Sequence, residues 1–499
     1  MTKAPKRLLL LFGNQLFPSH EIERARPDAV FMAESARICR RYAAHRHKLV
    51  LILSAMRSKA DDLAEHGHTV FYTHLDEAAD RSWTAMLRDH LDSSDYDELV
   101  CFELESAAMS SKLESLAEKR GLQLVVLPSP MFLTSRQAFQ EYRDSHKRLF
   151  MADFYREQRK GMAVLIDEDG GPVGGQWSFD EDNRKKLPKS VTPPPLPEPQ
   201  WTDHSRDVAP LVDARFPEHP GEAKRFWLPS TEAQAEEALR TFLDERFSLF
   251  GDYEDALSSK HPFVFHSVLS PLLNIGLLTP AQVLDAALEK AADEAIPLNS
   301  LEGFVRQIIG WREFIRGVWN TLPPEHWEQN FWNHRRGLAD CWYDATTGIA
   351  PLDDAIARAA ERGYCHHIER LMVLGNMMLL CRVAPAEAYR WFMEMFVDSF
   401  DWVMAPNVYG MALFSEGGAF TTKPYICGSN YLRKMSDYPK GEWCEIVDGL
   451  YWSFVHDHRD FFEQNPRSKM MTRTLDRLDP ERKARIFALA EDFIERVTR

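Results

Sequence analysis

Apolar runs alternate with amphipathic stretches near the start of the chain, and this alternation predicts an open parallel α/β sheet. The runs predicted to be buried strands are residues 8–12, 48–53, 69–73, 98–102 and 122–127. Crevices at the carboxyl ends of such strands bind flat ligands, so Gly13, Asn14 and Gln15, after the first strand, are candidate contacts. A plain βα turn is the alternative for these three residues.

The pattern changes in the middle of the chain. Residues 170–200 are rich in Gly and then in Pro, which predicts a long surface connection. After about residue 229 the strand pattern ends, and helical patterns dense in Trp, Phe, Leu and Met continue to residue 499. We therefore predict an α/β domain over 1–130, an interdomain linker region over 131–228 and an all-α domain over 229–499.

Composition narrows the class of protein. A chain of 499 residues is too long to fold around one ordinary hydrophobic core, and its 44% of hydrophobic residues can form more than one. The net charge of −15 argues against an overall basic coat, although a local basic patch stays open. Seven scattered cysteines indicate reduced thiols, and no segment approaches membrane-spanning length. We expect a monomeric cytoplasmic protein with no membrane partner.

Two adjacent histidines, His366 and His367, stand at the start of a predicted buried helix in GYCHHIERLMVLGN, residues 363–376. A helical metal site needs ligands at i and i+4, whereas adjacent residues point about 100° apart. The pair is therefore poorly suited to one ion, and no metal site is predicted. A structural role for both rings is the alternative.

Two further segments carry polar groups among apolar ones. In HPFVFHSVLSPLLNIGLL, residues 261–278, Ser267 and Ser270 precede a Pro that can start a helix. This arrangement is typical either of a phosphate site or of a simple helix cap. In residues 301–320, charged side chains lie on an apolar helix, where they pair internally or hold an anionic cofactor; they are Arg306, Arg312, Glu313 and Arg316.

An acidic residue, Asp398, lies in a predicted aromatic helix, and Arg370 is its candidate partner. No Ser/His/Asp elbow, HExxH box or GxGxxG turn occurs in the sequence. The chemistry must therefore come from an organic cofactor or from the two histidines.

Several ordered motifs resemble the photolyase/cryptochrome superfamily over nearly the whole chain. They are FGNQL, ILSAMR, GGQWSFDEDNRKKLP, HSVLSPLLNIGLL, IIGWREFIRG, GYCHHIERLMVLGN and TKPYICGSNYLRKMSDY. The resemblance is strongest to the bacterial branch of (6-4) photolyases and iron–sulfur bacterial cryptochromes. It implies a Rossmann-like antenna domain and a helical domain that binds FAD.

The resemblance also implies the cofactor contacts. Arg370 and Asp398 match the buried ion pair beside the isoalloxazine ring. Other positions match the flavin site: Tyr253, His266, Ser267, Val268, Leu269, Ser270, Gln307 and Arg312.

The His-His pair followed by Arg370 is similar to (6-4) photolyases, since relatives acting on cyclobutane dimers carry His-Asn. Repair of a (6-4) lesion needs an electron from excited reduced flavin and a positioned acid, and histidine titrates in the required range. The resemblance implies His366 as proton donor and His367 as its support. It also implies Tyr425 on the lesion side and Trp391 as electron donor to the flavin.

The resemblance to this family implies UV-damaged DNA as the partner. Basic residues can supply the local phosphate-binding face that the net charge does not, although a solvated surface is the alternative. They are Arg184, Lys185 and Lys423, with Lys186, Arg433 and Lys434 nearby.

The sequence departs from this branch where four cysteines normally hold a [4Fe–4S] cluster. Pro351 and Pro439 occupy that region, and only Cys444 lies near a ligand position. A cubane cluster needs several thiolates, so we predict no iron–sulfur cluster.

Two other departures concern the chromophores. Met404 occupies a position that faces flavin N5 and is usually Glu in this branch; methionine cannot donate a proton. The resemblance implies a 6,7-dimethyl-8-ribityllumazine antenna, with Asn14, Gln15 and Glu34 as contacts. Asn14 stands where the family usually has Asp.

We predict light-driven, FAD-dependent repair of (6-4) pyrimidine-pyrimidone photoproducts by a DNA lyase. The histidine pair, Arg370 and Tyr425 favour this function. A cryptochrome-type blue-light photoreceptor without repair is the alternative, favoured by Met404 and the missing cysteines. A third hypothesis is a flavoprotein that has lost photochemistry and binds nucleic acid.

Overall fold

Five short strands form one parallel sheet in a computed structural model that describes residues 5–78, 80–466 and 468–499. They are β1 (Arg7–Leu10), β2 (Ala29–Ala33), β3 (Val70–Thr73), β4 (Glu98–Phe102) and β5 (Gln123–Leu127). The order across the sheet is β3-β2-β1-β4-β5. The predicted parallel α/β sheet is confirmed, and residues 13–15 follow β1 at the point where the strand order reverses.

The central strands are buried on both faces, as parallel sheets require. In β1, Leu8 lies opposite Ala29 of β2 on one side and Leu99 of β4 on the other. β2 and β4 are buried along their whole length, whereas β3 and β5 at the two edges are partly exposed. The core of the sheet therefore lies around its first strand.

One predicted strand is wrong and one strand was missed. Residues 48–53 lie in the helix Arg46–Glu65, whose first turns are buried on nearly all sides. A Cβ atom on Gly13 would lie 2.7 Å from the Ile52 side chain, so this helix packs closely against the turn after β1. A short apolar run has the same appearance in a buried helix and in a buried strand, which explains the error at residues 48–53; β2 is the strand that was missed.

The rest of the described chain is largely helical, as predicted. The α-helices before residue 197 are Ser19–Glu23, Ala36–Cys39, Arg46–Glu65, Leu75–Ala78, Trp83–Asp92, Ala107–Arg120, Arg136–Ser145 and Met151–Met162. The later α-helices are Asp203–Arg215, Glu232–Glu245, Phe247–Phe250, Ser270–Ile275, Pro280–Asp293, Leu298–Val305, Glu313–Thr321, Cys341–Asp344, Ala350–Arg362, Asn376–Leu380, Pro385–Met395, Asp401–Ala405, Ser429–Met435, Trp443–Asp457, Arg459–Gln464, Lys469–Asp476 and Pro480–Val497. Among the described helices, none combines the length and the apolar character needed to cross a bilayer.

Shorter helical forms complete the chain. The 3-10 turns are Val173–Gly175, Asp180–Asn183, Ala223–Arg225 and Pro324–Glu328. Three π-helical stretches, Arg306–Arg312, Glu369–Gly375 and Pro406–Ala412, continue directly from or into α-helices. π-Helical turns inside α-helices frequently mark functional sites, and each of these lies in or beside a motif singled out from the sequence.

The chain divides into two compact units whose segments alternate along the sequence. The first unit contains residues up to Ser135, Pro197–Phe242 and Leu269–Glu289; the second contains Arg136–Leu196, Leu243–Val268 and Lys290–Arg499. Within the first unit, the N–H of Leu16 donates to the carbonyl of Ile275 at 2.9 Å. The stretch 131–228, predicted as one linker region, is thus shared between the two units.

We expect Gly449→Ala to destabilise the second unit. A Cβ atom at Gly449, in the helix Trp443–Asp457, would lie 2.0 Å from the carbonyl oxygen of Ile486 in the helix Pro480–Val497. Overpacking of this kind lowers the free energy of unfolding by about 1–3 kcal/mol. The measurement is urea denaturation followed by circular dichroism. The matched control is Gly161→Ala, whose Cβ meets nothing within 4 Å and which should leave the midpoint unchanged or slightly raised.

Candidate active site

A buried ion pair joins Arg370 to Asp398. The guanidinium donates to the two carboxylate oxygens at 2.8 and 3.1 Å, and its central carbon lies 4.0 Å from the centre of the Phe396 ring. The sequence placed Asp398 inside a helix, but it lies in a turn between Met395 and Asp401, where two helices end and begin. Because removing one partner of a buried pair costs about 3–5 kcal/mol, this pair fixes the local geometry.

The two adjacent histidines point to different surroundings, as their spacing predicted. His366 is fully buried, and its ring stacks on that of His266 with centroids 4.4 Å apart and an interplanar angle of 11°. His367 begins the following helix and has an exposed side chain. Nevertheless burial, aided by the charge of Arg370, lowers the pKa of His367 to about 4.

His266 and His366 carry unsatisfied buried nitrogens. Nε2 of His266 and both ring nitrogens of His366 have no hydrogen-bond partner in the described structure. Burial lowers the pKa of His266 to about 3, and the charges of His367 and Arg246 act in the same direction. Burial likewise lowers the pKa of His366 well below its ordinary value. The rings are therefore neutral at pH 7, and each unsatisfied nitrogen costs about 1–3 kcal/mol unless a polar group meets it.

Positive charge is in excess around these rings. Arg358 pairs with Glu369 and Arg370 pairs with Asp398. Arg246 is fully buried and donates to two backbone carbonyls, and within the described residues no carboxylate lies at ion-pair distance from it. Three cations thus face two carboxylates. Since a buried uncompensated charge is unfavourable, these surroundings favour an anionic ligand.

The loop before His266 and Ser267 has a strained backbone. Val264 and Val268 adopt positive φ angles of 46° and 57°. β-Branched residues rarely take this conformation, which costs of the order of 1–3 kcal/mol and is found mostly at ligand sites. Arg246 holds the carbonyl of Val264 at 3.1 Å. The strain thus occurs in the segment that the sequence assigned to cofactor binding.

The first π-helical stretch presents Gln307 and Arg312. Gln307 donates to Oε1 of Glu254 at 2.7 Å, and burial raises the pKa of Glu254 to about 7. Arg306 lies 3.4 Å from the same carboxylate, so it pairs internally. The Arg312 guanidinium lies over the Trp402 ring at 4.9 Å. Of the charged residues along this helix, Arg306 therefore pairs with carboxylates of the protein, which is the first of the two alternatives that the sequence left open.

Trp391 is fully buried in an aromatic group. Its indole N–H donates to the carbonyl of Trp342 at 2.9 Å, and its ring centroid lies 5.8 Å from that of Phe396. Phe396 in turn contacts the guanidinium of Arg370. A continuous run of contacts thus connects Trp391 to the ion pair.

The remaining predicted cofactor and lesion residues are dispersed. Tyr253 is buried and stacks on Phe265 with centroids 5.5 Å apart. Met404 is buried in the helix Asp401–Ala405, and Tyr425 is half-buried in an irregular segment. Leu269 and Ser270 belong to the first unit, at the start of a helix of only six residues.

The predicted antenna contacts are mostly bonded within the protein. Glu34 is buried and accepts hydrogen bonds from Arg57, the Tyr72 hydroxyl and the Leu75 N–H. The side-chain amide of Gln15 is also buried and donates to a backbone carbonyl at 2.9 Å. Only Asn14 is partly accessible. Because its oxygens are already engaged, Glu34 does not fit the role of a lumazine contact in this arrangement.

Two of the predicted DNA contacts are neutralised by carboxylates. Arg184 pairs with Asp180, and Nζ of Lys185 lies 2.7 Å from Asp252. Lys423 is exposed. Arg184 and Lys185 therefore add little uncompensated positive charge, contrary to the expectation from the sequence.

Metal-binding side chains do not gather in the part of the chain that the structure describes: no three of them are placed to hold an ion. Cys444 is buried in the helix Trp443–Asp457. The absence of an iron–sulfur cluster stays a prediction.

Known proteins resemble this chain along its whole length. Residues 9–228 match the family described as Deoxyribodipyrimidine photo-lyase-related protein. A (6-4) photolyase of Agrobacterium fabrum is 32% identical, with 98% of this chain and 99% of that protein covered. The chain belongs to the photolyase/cryptochrome superfamily.

Solved structures of the superfamily show the same fold. A bacterial class III photolyase from Agrobacterium tumefaciens has a TM-score of 0.58 at 16% identity, covering 99% of both chains. The cryptochrome of Synechocystis sp. PCC6803 has a TM-score of 0.57 at 14% identity, covering 87% of this chain and 89% of that one. Photolyases and cryptochromes share one architecture, so the fold alone does not separate repair from light sensing.

The superfamily implies FAD, and the residues of the second unit fit it. The unsatisfied nitrogens of His266 and His366 offer polar contacts, and the excess charge of Arg246 suits an anionic diphosphate. Arg246, Glu254, Arg358 and Glu369 were not identified from the sequence, although Arg358 stands among apolar neighbours there.

We expect acidification to destabilise the protein through its buried histidines. His266 stays neutral down to about pH 3, whereas an unfolded histidine takes up a proton near pH 6.5. The unfolded state therefore binds more protons below pH 6.5, and the free energy of unfolding falls as pH falls. For His266 the loss between pH 7 and pH 5 is about 2 kcal/mol.

Urea denaturation at several pH values checks this expectation. His266→Gln should reduce the slope of unfolding free energy against pH, whereas His456→Gln at an exposed site should leave it unchanged. Comparison of each variant with wild type removes the contribution of Glu254, whose raised pKa acts with the opposite sign. An unchanged slope in His266→Gln would contradict the neutral assignment.

Proposed function

We propose that this protein is a light-driven, FAD-dependent DNA lyase that repairs (6-4) pyrimidine-pyrimidone photoproducts. The observation that carries the proposal is the placement of His367. Its side chain is exposed and lies within the electrostatic influence of Arg370, whereas the neighbouring His366 is fully buried. An accessible imidazole beside the Arg370–Asp398 ion pair suits proton transfer to a flipped-out base.

FAD, when bound, supplies light absorption and the electron for repair. The residues proposed to hold it all lie in the second unit; they are Tyr253, His266, Ser267, Val268, Gln307, Arg312, Arg370, Asp398 and Met404. The Arg370–Asp398 pair fixes one wall, and Trp391 lies out of contact with water behind Phe396. Trp391 is thus proposed as the electron-transfer residue.

The two histidines divide the proton chemistry between them. The family resemblance implied that His366 is the proton donor and that His367 supports it. Their exposure favours the opposite division, because His366 has no accessible surface and His367 is exposed. Negative charge arriving beside His367 raises the pKa of its imidazole. His367 then takes up a proton and donates it from a ring nitrogen to the lesion, with His366 positioned behind it.

The partner in this proposal is UV-damaged DNA, bound by a monomer in the cytoplasm. Lys423 is exposed and available for phosphate contact. Tyr425, two residues later, is proposed to contact the lesion.

A second candidate function is blue-light reception by flavin redox change without repair. The observation that favours it is Met404, which is buried in the helix Asp401–Ala405 and has no proton to donate. Methionine at this position would give a bound flavin no proton, which favours light sensing over repair.

We expect the purified, flavin-loaded protein to reverse a defined (6-4) lesion in DNA under blue light, followed as loss of the lesion by chromatography. His367→Gln should lower the repair rate by about 10²-fold or more, because a positioned acid contributes on that scale. Flavin content should be retained.

His366→Gln and the exposed His456→Gln complete the set. Greater sensitivity of repair to His366 than to His367 would restore the division expected from the sequence. Flavin reduction in the light with an intact lesion in the wild type would instead favour the photoreceptor function.

A further inference from the structure

The side-chain amide of Gln307 is held in one orientation by two acceptors. Its Nε2 donates to Oε1 of Glu254 at 2.7 Å and to the backbone carbonyl of Gly303 at 3.1 Å. Carbonyl and carboxylate oxygens accept hydrogen bonds and do not donate them, so a reversed amide would place oxygen against oxygen. Both N–H groups of the amide are thus used within the protein.

The oxygen of the same amide is left without a partner in the described part of the chain. No hydrogen bond reaches Oε1 of Gln307 from those residues, and the side chain is half-buried rather than enclosed. Gln307 therefore presents an acceptor, and no donor, on its accessible side.

Glu254 is itself held in place from the opposite side. Its Oε2 accepts a hydrogen bond from Nδ2 of Asn183 at 2.8 Å and lies 3.4 Å from the guanidinium of Arg306. Gly303 leaves the space for this arrangement, since a Cβ atom there would lie 2.7 Å from Nδ2 of Asn183. Because Oε2 is occupied, Oε1 is the atom that faces Gln307.

Glu254 also reaches the histidines of the same unit. Its backbone is a hydrogen-bond partner of the His266 ring, which stacks on that of His366. Gln307 and His266 were both predicted as flavin contacts, and Glu254 contacts both of them. The oxygen that Gln307 presents therefore belongs with the proposed binding residues.

We propose that Glu254 is a positioning residue that fixes the amide of Gln307, and that Gln307 consequently selects a ligand group that donates a hydrogen bond. The inference rests on the proposed function, in which two molecules offer such a group. FAD carries hydroxyl groups and an amine, and the 5′ base of a (6-4) lesion carries N–H and O–H groups. The chemistry required of the ligand is the same for both.

Binding in the dark, which needs no repair, tests this selection. The flavin-depleted full chain is titrated with FAD, and the FAD-loaded chain is titrated with an oligonucleotide that carries one (6-4) lesion or none. The titrations are made at pH 8, because the pKa of Glu254 is about 7 and its carboxylate is then ionised. Glu254→Gln should weaken the affinity for FAD or for the lesion by about tenfold, since an amide at this position no longer imposes the orientation of Gln307.

Exchange of the two residues separates the orientation of the amide from general damage. In Glu254→Gln/Gln307→Glu the new amide donates to the new carboxylate, whose second oxygen is again a pure acceptor. Most of the lost affinity should therefore return. Arg306 keeps its contacts with Glu302 and Asp180 in both variants.

The matched control is Glu141→Gln. It alters the same kind of pair at the surface, where Gln137 donates to Oε1 of Glu141 at 2.9 Å, and it should change neither affinity. If Glu254→Gln alone does not fold, the exchanged variant decides the question, because it retains one carboxylate and one amide in contact.

The outcomes identify the donor and separate this inference from the proposed function. A loss of FAD affinity that the exchange restores identifies the flavin as the donor, and a restored loss for the lesion alone identifies the damaged base. Unchanged affinities in Glu254→Gln, or a folded exchanged variant that binds neither FAD nor the lesion with nearly wild-type affinity, would overturn the role of Glu254. Absence of repair in the light would instead reject the proposed function and leave the role of Glu254 in binding standing.

Discussion

Buried positive charge is the constraint on which the second unit depends. Arg246 and Arg358 are buried and Arg370 is mostly covered, and only the last two have carboxylate partners. Taking a cation out of water is costly unless an anion or several acceptors replace the solvent. The fold therefore leaves buried positive charge uncompensated, and an anionic cofactor would compensate it.

The same charge explains why the histidines are neutral and why their positions matter. A positive neighbourhood disfavours an imidazolium, so His266 and His366 stay unprotonated at neutral pH. Added negative charge would reverse that preference. The π-helical stretch Glu369–Gly375 supports this arrangement, because adjacent residues Glu369 and Arg370 reach different partners. Its last residue packs so closely against Ala412 that a Cβ would lie 2.7 Å away.

Patterns among neighbouring residues predicted those features that depend mainly on neighbouring residues. Sequence spacing anticipated that His366 and His367 would point apart, and the parallel sheet followed from alternating apolar runs. The run at residues 48–53 misled because a buried helix and a buried strand are equally apolar, and only the three-dimensional packing on Gly13 separates them.

Long-range pairing could not be predicted in this way. Lys185 and Asp252 are 67 residues apart, and the sequence around Lys185 does not indicate that its charge is neutralised. Arg358 and Glu369 are closer, only 11 residues apart, but their contact depends on the turn through residues 363–366. The sequence therefore could not give the partner of each charge.

The alternation of the two units along the chain has a consequence for synthesis on the ribosome. The first unit includes Leu269–Glu289, and the N–H of Leu16 is bonded only when Ile275 has emerged. Its core therefore cannot close when the sheet alone has been made. Residues of the second unit, from Arg136 onward, emerge before the first is complete. Until Leu269–Glu289 is available, apolar surface of the first unit stays uncovered, and exposed apolar surface of this kind favours aggregation.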